Sequence, residues 1–89
     1  MDAYIINPDG TEIEVIPKNG KAFILQELYE HLGCNIIEFL KTKNNEHLLV
    51  DEEGNLKPNQ KINYKATILD QYNRTIVGKA LICKLKMIK

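Results

Sequence analysis

Hydrophobic residues follow two different periods along this chain, and the change from one to the other is clearest between Ala22 and Leu40. Within this stretch, four apolar residues recur at helical spacing: Leu25, Leu28, Tyr29 and Leu32. This spacing predicts a helix over Leu25–Leu32 with one buried stripe. Gly33 supplies the left-handed residue that ends a helix. The apolar run that follows predicts a buried strand over Asn35–Leu40.

The polar positions of this helix are expected to form its outer side: Gln26, Glu27, Glu30 and His31. Ile24 stands where a capping Ser, Thr or Asp is expected, although Glu27 suits the glutamate position of a capping box. A helix of about two turns is stable only when its apolar stripe packs on other structure. We therefore expect this helix to lie against a sheet.

The N-terminal sixteen residues predict a β-hairpin. A short apolar strand at Tyr4–Ile6 leads into Asn7-Pro8-Asp9-Gly10, a combination of residues that favours a tight turn. The strand Thr11–Ile16 then alternates. Its apolar side is expected to be buried and consists of Thr11, Ile13 and Val15, whereas Glu12 and Glu14 form a solvated acidic face.

The C-terminal half predicts two strands that flank an ambiguous segment. Glu46–Asp51 is a strand candidate and is followed by an acidic turn. Residues 56–72 predict a short helix or irregular turn that packs Ile62, Ala66 and Leu69 onto the sheet edge. The helix propensity of this segment is poor at Asn63, Tyr64, Thr67 and Ile68. Thr75–Lys86 predicts the longest strand. Apolar residues occur on both of its faces near its start, which indicates a central position in the sheet. The lysines near its end are interpreted as protection of a sheet edge.

The order of elements predicts a single α+β domain over residues 1–89. We expect one mixed β-sheet of about five strands with one main helix packed across it. The order of hairpin, helix, two strands, short helix and strand matches the ubiquitin-like β-grasp, in which the last strand lies beside the first. A plain antiparallel meander is the alternative arrangement.

Charge and composition exclude some classes of protein. Twelve basic and twelve acidic residues cancel, so the positive excess typical of nucleic-acid binders is absent. Residues 1–45 carry a net charge of −3 and residues 46–89 carry +3, and we interpret these halves as neutralising each other. No apolar run is long enough to span a membrane and no signal peptide is recognisable, so we expect a cytoplasmic protein. Cys34 and Cys83 lie in apolar runs, which predicts buried free thiols.

Several strings of the sequence resemble a family of small domains of unknown function found in phages and bacterial mobile elements. They are LQELYEHLGCNIIEF, LLVDEEGNLKPNQKIN with the following KAT, and IVGKALIC. The resemblance extends roughly over Tyr4–Cys83, and this chain departs from it at Ile24, where a capping Thr is natural, and in the longer polar stretch Asn59–Asn63. It implies an accessory protein of bacterial or phage origin and transfers no catalytic residue.

The residue types that carry chemistry are few, and each has a structural interpretation. A metal site would need His31, Cys34 and His47 to converge, but their spacing matches no zinc motif. Nucleophilic catalysis would require Cys34 or Cys83 beside a histidine in an open site. Paired acid–base catalysis would draw on Glu27, Glu30 and Glu38, and a basic face would consist of Lys79, Lys84, Lys86 and Lys89. We expect no catalytic residue, metal or cofactor.

Two functions from different classes are consistent with this sequence. The first is a noncatalytic module that binds a protein partner through a sheet edge or the flank of the helix. The second is a small-ligand or nucleotide binder, with a pocket between the turn at residues 51–55, the Asn59 region and the last strand. Its candidate binding residues are Glu53, Gly54 and Asn59. An enzyme is the third and weakest possibility.

Overall fold

A computed structural model describes residues 1–88 of the protein and contains five strands and two α-helices. In chain order the elements are β1 (Ala3–Ile6), β2 (Glu12–Glu14), α1 (Leu25–Leu32), β3 (Ile37–Lys41), β4 (His47–Asp51), α2 (Tyr64–Leu69) and β5 (Ala80–Cys83). Two short 3₁₀ turns, Gly54–Leu56 and Leu85–Met87, follow β4 and β5. The predicted α+β class, with five strands and one main helix across the sheet, is confirmed.

The strands form one sheet in the order β2-β1-β5-β4-β3. The predicted position of the last strand beside the first, in the middle of the sheet, is therefore right. Within residues 1–88, the four ladders between these strands are all antiparallel, so the sheet is not mixed and lacks the parallel central pair of a β-grasp fold. The end of β4 and the start of β5 lie at the same end of the sheet, so β5 runs in the opposite direction to β4. Strand β5 is also antiparallel to β1, its other neighbour.

Each face of the sheet supports its own apolar cluster. The α1 face buries residues of the central strands together with the helix: Ala3, Ile5, Leu49, Leu81 and Cys83 pack with Phe23, Leu28, Leu32, Cys34 and Met87. The α2 face buries the alternate positions of those strands: Ile6, Leu40, Leu48, Val50, Ala80 and Ile82 pack with Ala66 and Ile76. Because side chains alternate between faces, every residue of β5 is buried.

Helix α1 has the predicted bounds, and Gly33 ends it with a φ of 65°. Two details differ from the prediction. Glu27 is buried rather than on the outer side, because its Oε1 accepts a hydrogen bond from the Ile24 N–H (3.2 Å) and its Oε2 accepts one from the Lys18 N–H (2.9 Å). Leu25, predicted to be in the buried stripe, is half exposed. Since the Ile24 side chain has no acceptor atom, Glu27 alone does the capping.

The last strand is shorter than the predicted Thr75–Lys86. Gly78 adopts a φ of 75° just before β5, and Lys84 begins the turn that leads into the second 3₁₀ helix. Lys84 and Lys86 therefore lie beyond a central strand and do not protect a sheet edge, contrary to the prediction. Strands β3 and β4 are shifted by one or two residues from their predicted bounds.

The ambiguous segment contains α2, which begins at Asn63. The Asn63 Oδ1 accepts a hydrogen bond from the Ala66 N–H (3.1 Å), as an N-cap residue does. Its Nδ2 donates to the carbonyl oxygens of Ile6 (2.8 Å) and Gly78 (2.9 Å). This buried side chain thus links α2, β1 and the approach to β5. Of the predicted packing residues, Ala66 and Leu69 lie against the sheet and Ile62 remains partly exposed.

Candidate functional site

Both cysteines are buried and unsuited to nucleophilic catalysis. Cys34 is 7% exposed and Cys83 is fully buried. Burial raises the pKa of the Cys34 thiol, and Asp51 adds to this effect. Burial raises the pKa of Cys83 to about 11. A thiol in this state carries almost no thiolate at neutral pH, and the thiolate is the reactive form.

The histidines occupy separate positions and form no metal centre with Cys34. The partly buried ring of His31 meets the ring of the core residue Phe23 edge-on, with 6.0 Å between their centroids. His47 lies on β4 opposite Lys41, and burial together with this cation lowers the pKa of its imidazole. Among residues 1–88 no group of three or more His, Cys, Asp or Glu side chains is placed to hold a metal ion.

The candidate carboxylates divide between α1, which carries Glu27 and Glu30, and β3, which carries Glu38. Glu27 is fully engaged with backbone N–H groups, and these hydrogen bonds, that from Lys18 first, hold its pKa below the ordinary value. Glu30 is on the outer side of α1, and Glu38 is exposed on β3. Glu27 is thus a structural residue. Its position does not support a pair of carboxylates for acid–base catalysis.

The residues proposed for small-ligand binding lie around the turn after β4. Glu53 and Asn59 are exposed, and Gly54 is buried against Val77, where an added Cβ would come within 3.0 Å of the Val77 Cγ2. The cavity beside this turn has a volume of about 40 Å³ and is lined by residues such as Asp51, Asn55 and Val77. Typical ligand pockets measure about 300–1,000 Å³. A nucleotide would require this region to open.

Two larger cavities lie at the surface of the described part of the chain. One of about 470 Å³ is at the C-terminal end of α1, beside Tyr29, Glu30 and Cys34. Another of about 330 Å³ lies beside Asp2, Lys21 and Lys86. Of the predicted basic face, Lys84 forms an ion pair with Asp2 (3.0 Å), whereas Lys89 lies outside the described residues. Lys84 and Lys86 thus lie around Asp2, which offsets part of their charge.

The outer edge of β2 presents the backbone groups of two residues away from the sheet. The Val15 N–H bonds to the Ala3 carbonyl (3.1 Å) and the Thr11 carbonyl accepts from Asn7 (2.9 Å), so Thr11, Ile13 and Val15 direct their backbone groups toward β1. Backbone groups alternate in direction along an antiparallel strand. Glu12 and Glu14 therefore direct their N–H and C=O groups away from the sheet.

The side chains of this edge are apolar on one face and acidic on the other. Ile13, predicted to be buried, is 54% exposed, because α1 covers the central strands and leaves the edge bare. Val15 alone packs against the core. On the opposite face the Glu12 Oε2 lies 3.2 Å from the Lys65 Nζ, whereas Glu14 forms no ion pair with the other described residues.

The opposite edge, β3, is partly covered by the chain itself. Gln71 donates to the Lys41 carbonyl (2.9 Å), and Lys43 donates to the Leu69 carbonyl (3.0 Å). These bonds add a short antiparallel segment at the C-terminal end of β3. Phe39 lies beyond the covered part and is 49% exposed. The two edges thus differ: β3 is closed at one end, and β2 is open.

A buried ion pair at the end of α2 was missed by sequence reasoning. Asp70 is fully buried and accepts hydrogen bonds from Arg74 Nε (3.0 Å), Arg74 Nη2 (2.9 Å) and the N–H groups of Tyr72 and Arg74. The guanidinium also lies 5.3 Å from the centroid of the Tyr72 ring. The one feature of the sequence that could have indicated this ion pair is the spacing of four residues between Asp70 and Arg74.

We predict that Asp70→Asn lowers the free energy of unfolding by about 2 kcal/mol at neutral pH, since several hydrogen bonds to a buried carboxylate are lost. Burial raises the pKa of Asp70, but the hydrogen bonds from Arg74 and Tyr72 outweigh it and hold the pKa below the ordinary value. A depressed pKa stabilises the fold above the unfolded-state pKa of 3.8, and this contribution is lost as the pH falls through the folded-state pKa. Urea unfolding from about pH 7 to about pH 2.5 should show the gap between the two proteins closing in acid; a constant gap would contradict this role.

The fold and its surface define a small α+β domain whose described part has an open sheet edge and no assembled reactive centre. A family model for a domain of unknown function, DUF3846, matches residues 1–87, and the chain belongs to this family. Comparison with curated proteins and with solved structures gives no significant match. Within residues 1–88, none of the helices has the length and apolar character needed to cross a membrane.

Proposed function

We propose that the protein is a noncatalytic interaction module that binds a protein partner through an edge of its sheet. The observation that carries this proposal is the outer edge of β2, where Glu12 and Glu14 direct unpaired backbone groups outward beside the exposed Ile13. An extended partner segment gains main-chain hydrogen bonds at such an edge and buries apolar side chains at the same time. Natural proteins blunt free edges with short strands and charged side chains, so Glu12 and Glu14 restrict which partner strand can pair with this edge.

The chemistry of the remaining groups is consistent with a binding role. The thiols are buried and protonated, Glu27 is held by backbone groups, and Asp70 is neutralised by Arg74. We further propose that the protein acts in the cytoplasm of bacteria as an accessory protein of a phage or mobile element. This context rests on the resemblance of its helix and strand sequences to such domains. A small-ligand role is less favoured, because the cavity beside Asn55 is small.

Site-directed photo-crosslinking tests the proposal. A benzophenone amino acid would replace Ile13 on β2 or Phe39 on β3, and Lys79, exposed just before the central strand, provides the control position. In lysates of bacteria, with and without phage infection, we expect a discrete adduct from one edge position and none from position 79. The captured protein, once purified, should bind the unmodified chain with defined stoichiometry. Absence of a discrete adduct at both edges, or equal labelling at all three positions, would refute the proposal.

A further inference from the structure

We infer that the partner presents a strand of alternating basic and apolar residues, of the form basic–apolar–basic, to the outer edge of β2. This inference rests on the proposed function and names the chemistry of its partner. Glu12 and Glu14 are the residues of β2 whose backbone groups point outward, and their side chains share the α2 face of the sheet. Ile13, between them, lies on the α1 face and is 54% exposed.

The geometry of antiparallel pairing fixes which partner residue meets which side chain. Residues whose backbone groups bond to Glu12 and Glu14 lie directly opposite them, with side chains on the same face. The partner residue between these two lies opposite Ile13 on the other face. Cross-strand pairs of opposite charge stabilise a sheet, and like charges directly opposite destabilise it. Lys or Arg therefore belongs opposite each glutamate, and an apolar residue opposite Ile13.

A second copy of this chain does not satisfy these requirements. Glu12 and Glu14 are the outward-facing residues of β2. Two β2 strands that pair antiparallel over residues 12–14 therefore place at least one glutamate directly opposite another. Lys65 neutralises Glu12 only at the surface, with a Nζ–Oε2 distance of 3.2 Å and half of the lysine side chain exposed, and Glu14 has no such counter-ion within residues 1–88. The acidic edge thus disfavours self-association and favours a basic strand.

The β3 edge offers a matched contrast within the same molecule. It has one exposed acid, Glu38, and its C-terminal end is already bonded to Leu69 and Gln71. A basic strand therefore finds only one carboxylate there, and its pairing has to stop before the Lys41 carbonyl, which is already bonded to Gln71. The same charge reversal at Glu38 and at Glu14 should have different effects on binding.

The test uses a blocked synthetic heptapeptide, Thr-Val-Lys-Val-Lys-Val-Thr, titrated into the full chain labelled with ¹⁵N and followed by NMR. We expect shift changes confined to residues 11–16 and the facing β1. The same peptide with glutamate in place of both lysines should bind at least about tenfold more weakly. Methylation of the two lysine amides should abolish binding because these N–H groups face β2, whereas methylation of the central valine amide, which points away, should be tolerated.

Protein variants complete the test. Glu14→Lys should weaken binding of the lysine peptide by about tenfold and restore binding of the glutamate peptide, while Glu38→Lys should leave both affinities unchanged. Absence of shift changes at about 1 mM peptide, equal affinity for the two peptides, or changes centred on residues 36–41 would overturn the inference. Dimerisation of the free chain through β2 in sedimentation experiments would assign the edge to a second copy. A photo-crosslink from Phe39 alone would remove this inference and leave the proposed function standing.

Discussion

Replacing Asn63 with alanine is expected to lower the free energy of unfolding by about 3 kcal/mol and the Tm by roughly 12–24 °C. The side chain is fully buried and makes three hydrogen bonds, to the Ile6 carbonyl, the Gly78 carbonyl and the Ala66 N–H. Alanine removes a hydrogen-bond partner from each of these three backbone groups in the protein interior, and an unsatisfied buried group costs about 1–3 kcal/mol. Because the net stability of 89 residues is on the order of 5–10 kcal/mol, this loss is a large part of the total.

A second substitution separates the two roles of Asn63. Asn63→Asp keeps the oxygen that caps α2 but places carboxylate oxygen where Nδ2 donates to two carbonyl groups. If the links to Ile6 and Gly78 matter most, the aspartate variant should be destabilised at least as much as the alanine variant. An aspartate variant with wild-type stability would show that the cap alone matters. Asn35→Ala, at an exposed site, serves as the control, and denaturation followed by circular dichroism measures all four proteins.

The parts of the fold that depend on periodicity alone were predictable from the sequence. The apolar spacing and Gly33 predicted α1 over Leu25–Leu32, which are its bounds in the structure. The apolar character of both faces predicted a central last strand, and β5 is buried along its whole length. These features follow from local backbone geometry and from the alternation of side chains, which a single sequence records directly.

The direction of β5 and the polar links in the core were not predictable in the same way. The long connection between β4 and β5 permits either strand direction, so the pattern could not distinguish a mixed sheet from an antiparallel one. Asn63 stands in a polar stretch typical of a surface loop, and its partner Ile6 is 57 residues away in the sequence. Long-range side-chain-to-backbone bonds leave no periodic signal.

The candidate binding edge was predicted in part. Alternation assigned Glu12 and Glu14 to a solvated face, and both are exposed. The same alternation predicted that Ile13 is buried, but it shows only which side of the strand a residue occupies and not whether another element covers that side. Helix α1 is eight residues long and packs over the central strands, so it does not reach β2. Exposure of Ile13 is therefore a property of the tertiary arrangement.

Leu28→Ala is expected to lower the free energy of unfolding by about 3 kcal/mol, because it removes a buried side chain and leaves a cavity between α1 and the sheet. Leu28 is 1% exposed and packs in the cluster that includes Leu81 and Cys83. An isolated helix of this length is unstable in water, so its order depends on this contact. Hydrogen exchange of the α1 amides should increase more than exchange in β5.

The matched control for this prediction lies one turn earlier in the same helix. Leu25→Ala removes the same atoms from a side chain that is 49% exposed, so its effect should stay within about 0.5 kcal/mol. Both substitutions change helix propensity equally, and the difference between them therefore measures packing against the sheet alone. Urea unfolding measures the free energy of unfolding of both variants. Equal decreases would show that α1 does not pack on the sheet through Leu28. The arrangement that leaves the β2 edge uncovered would then need revision. A large difference would confirm that α1 is anchored over the central strands, which is the condition for Ile13 and both outward-facing glutamates to remain accessible to a partner.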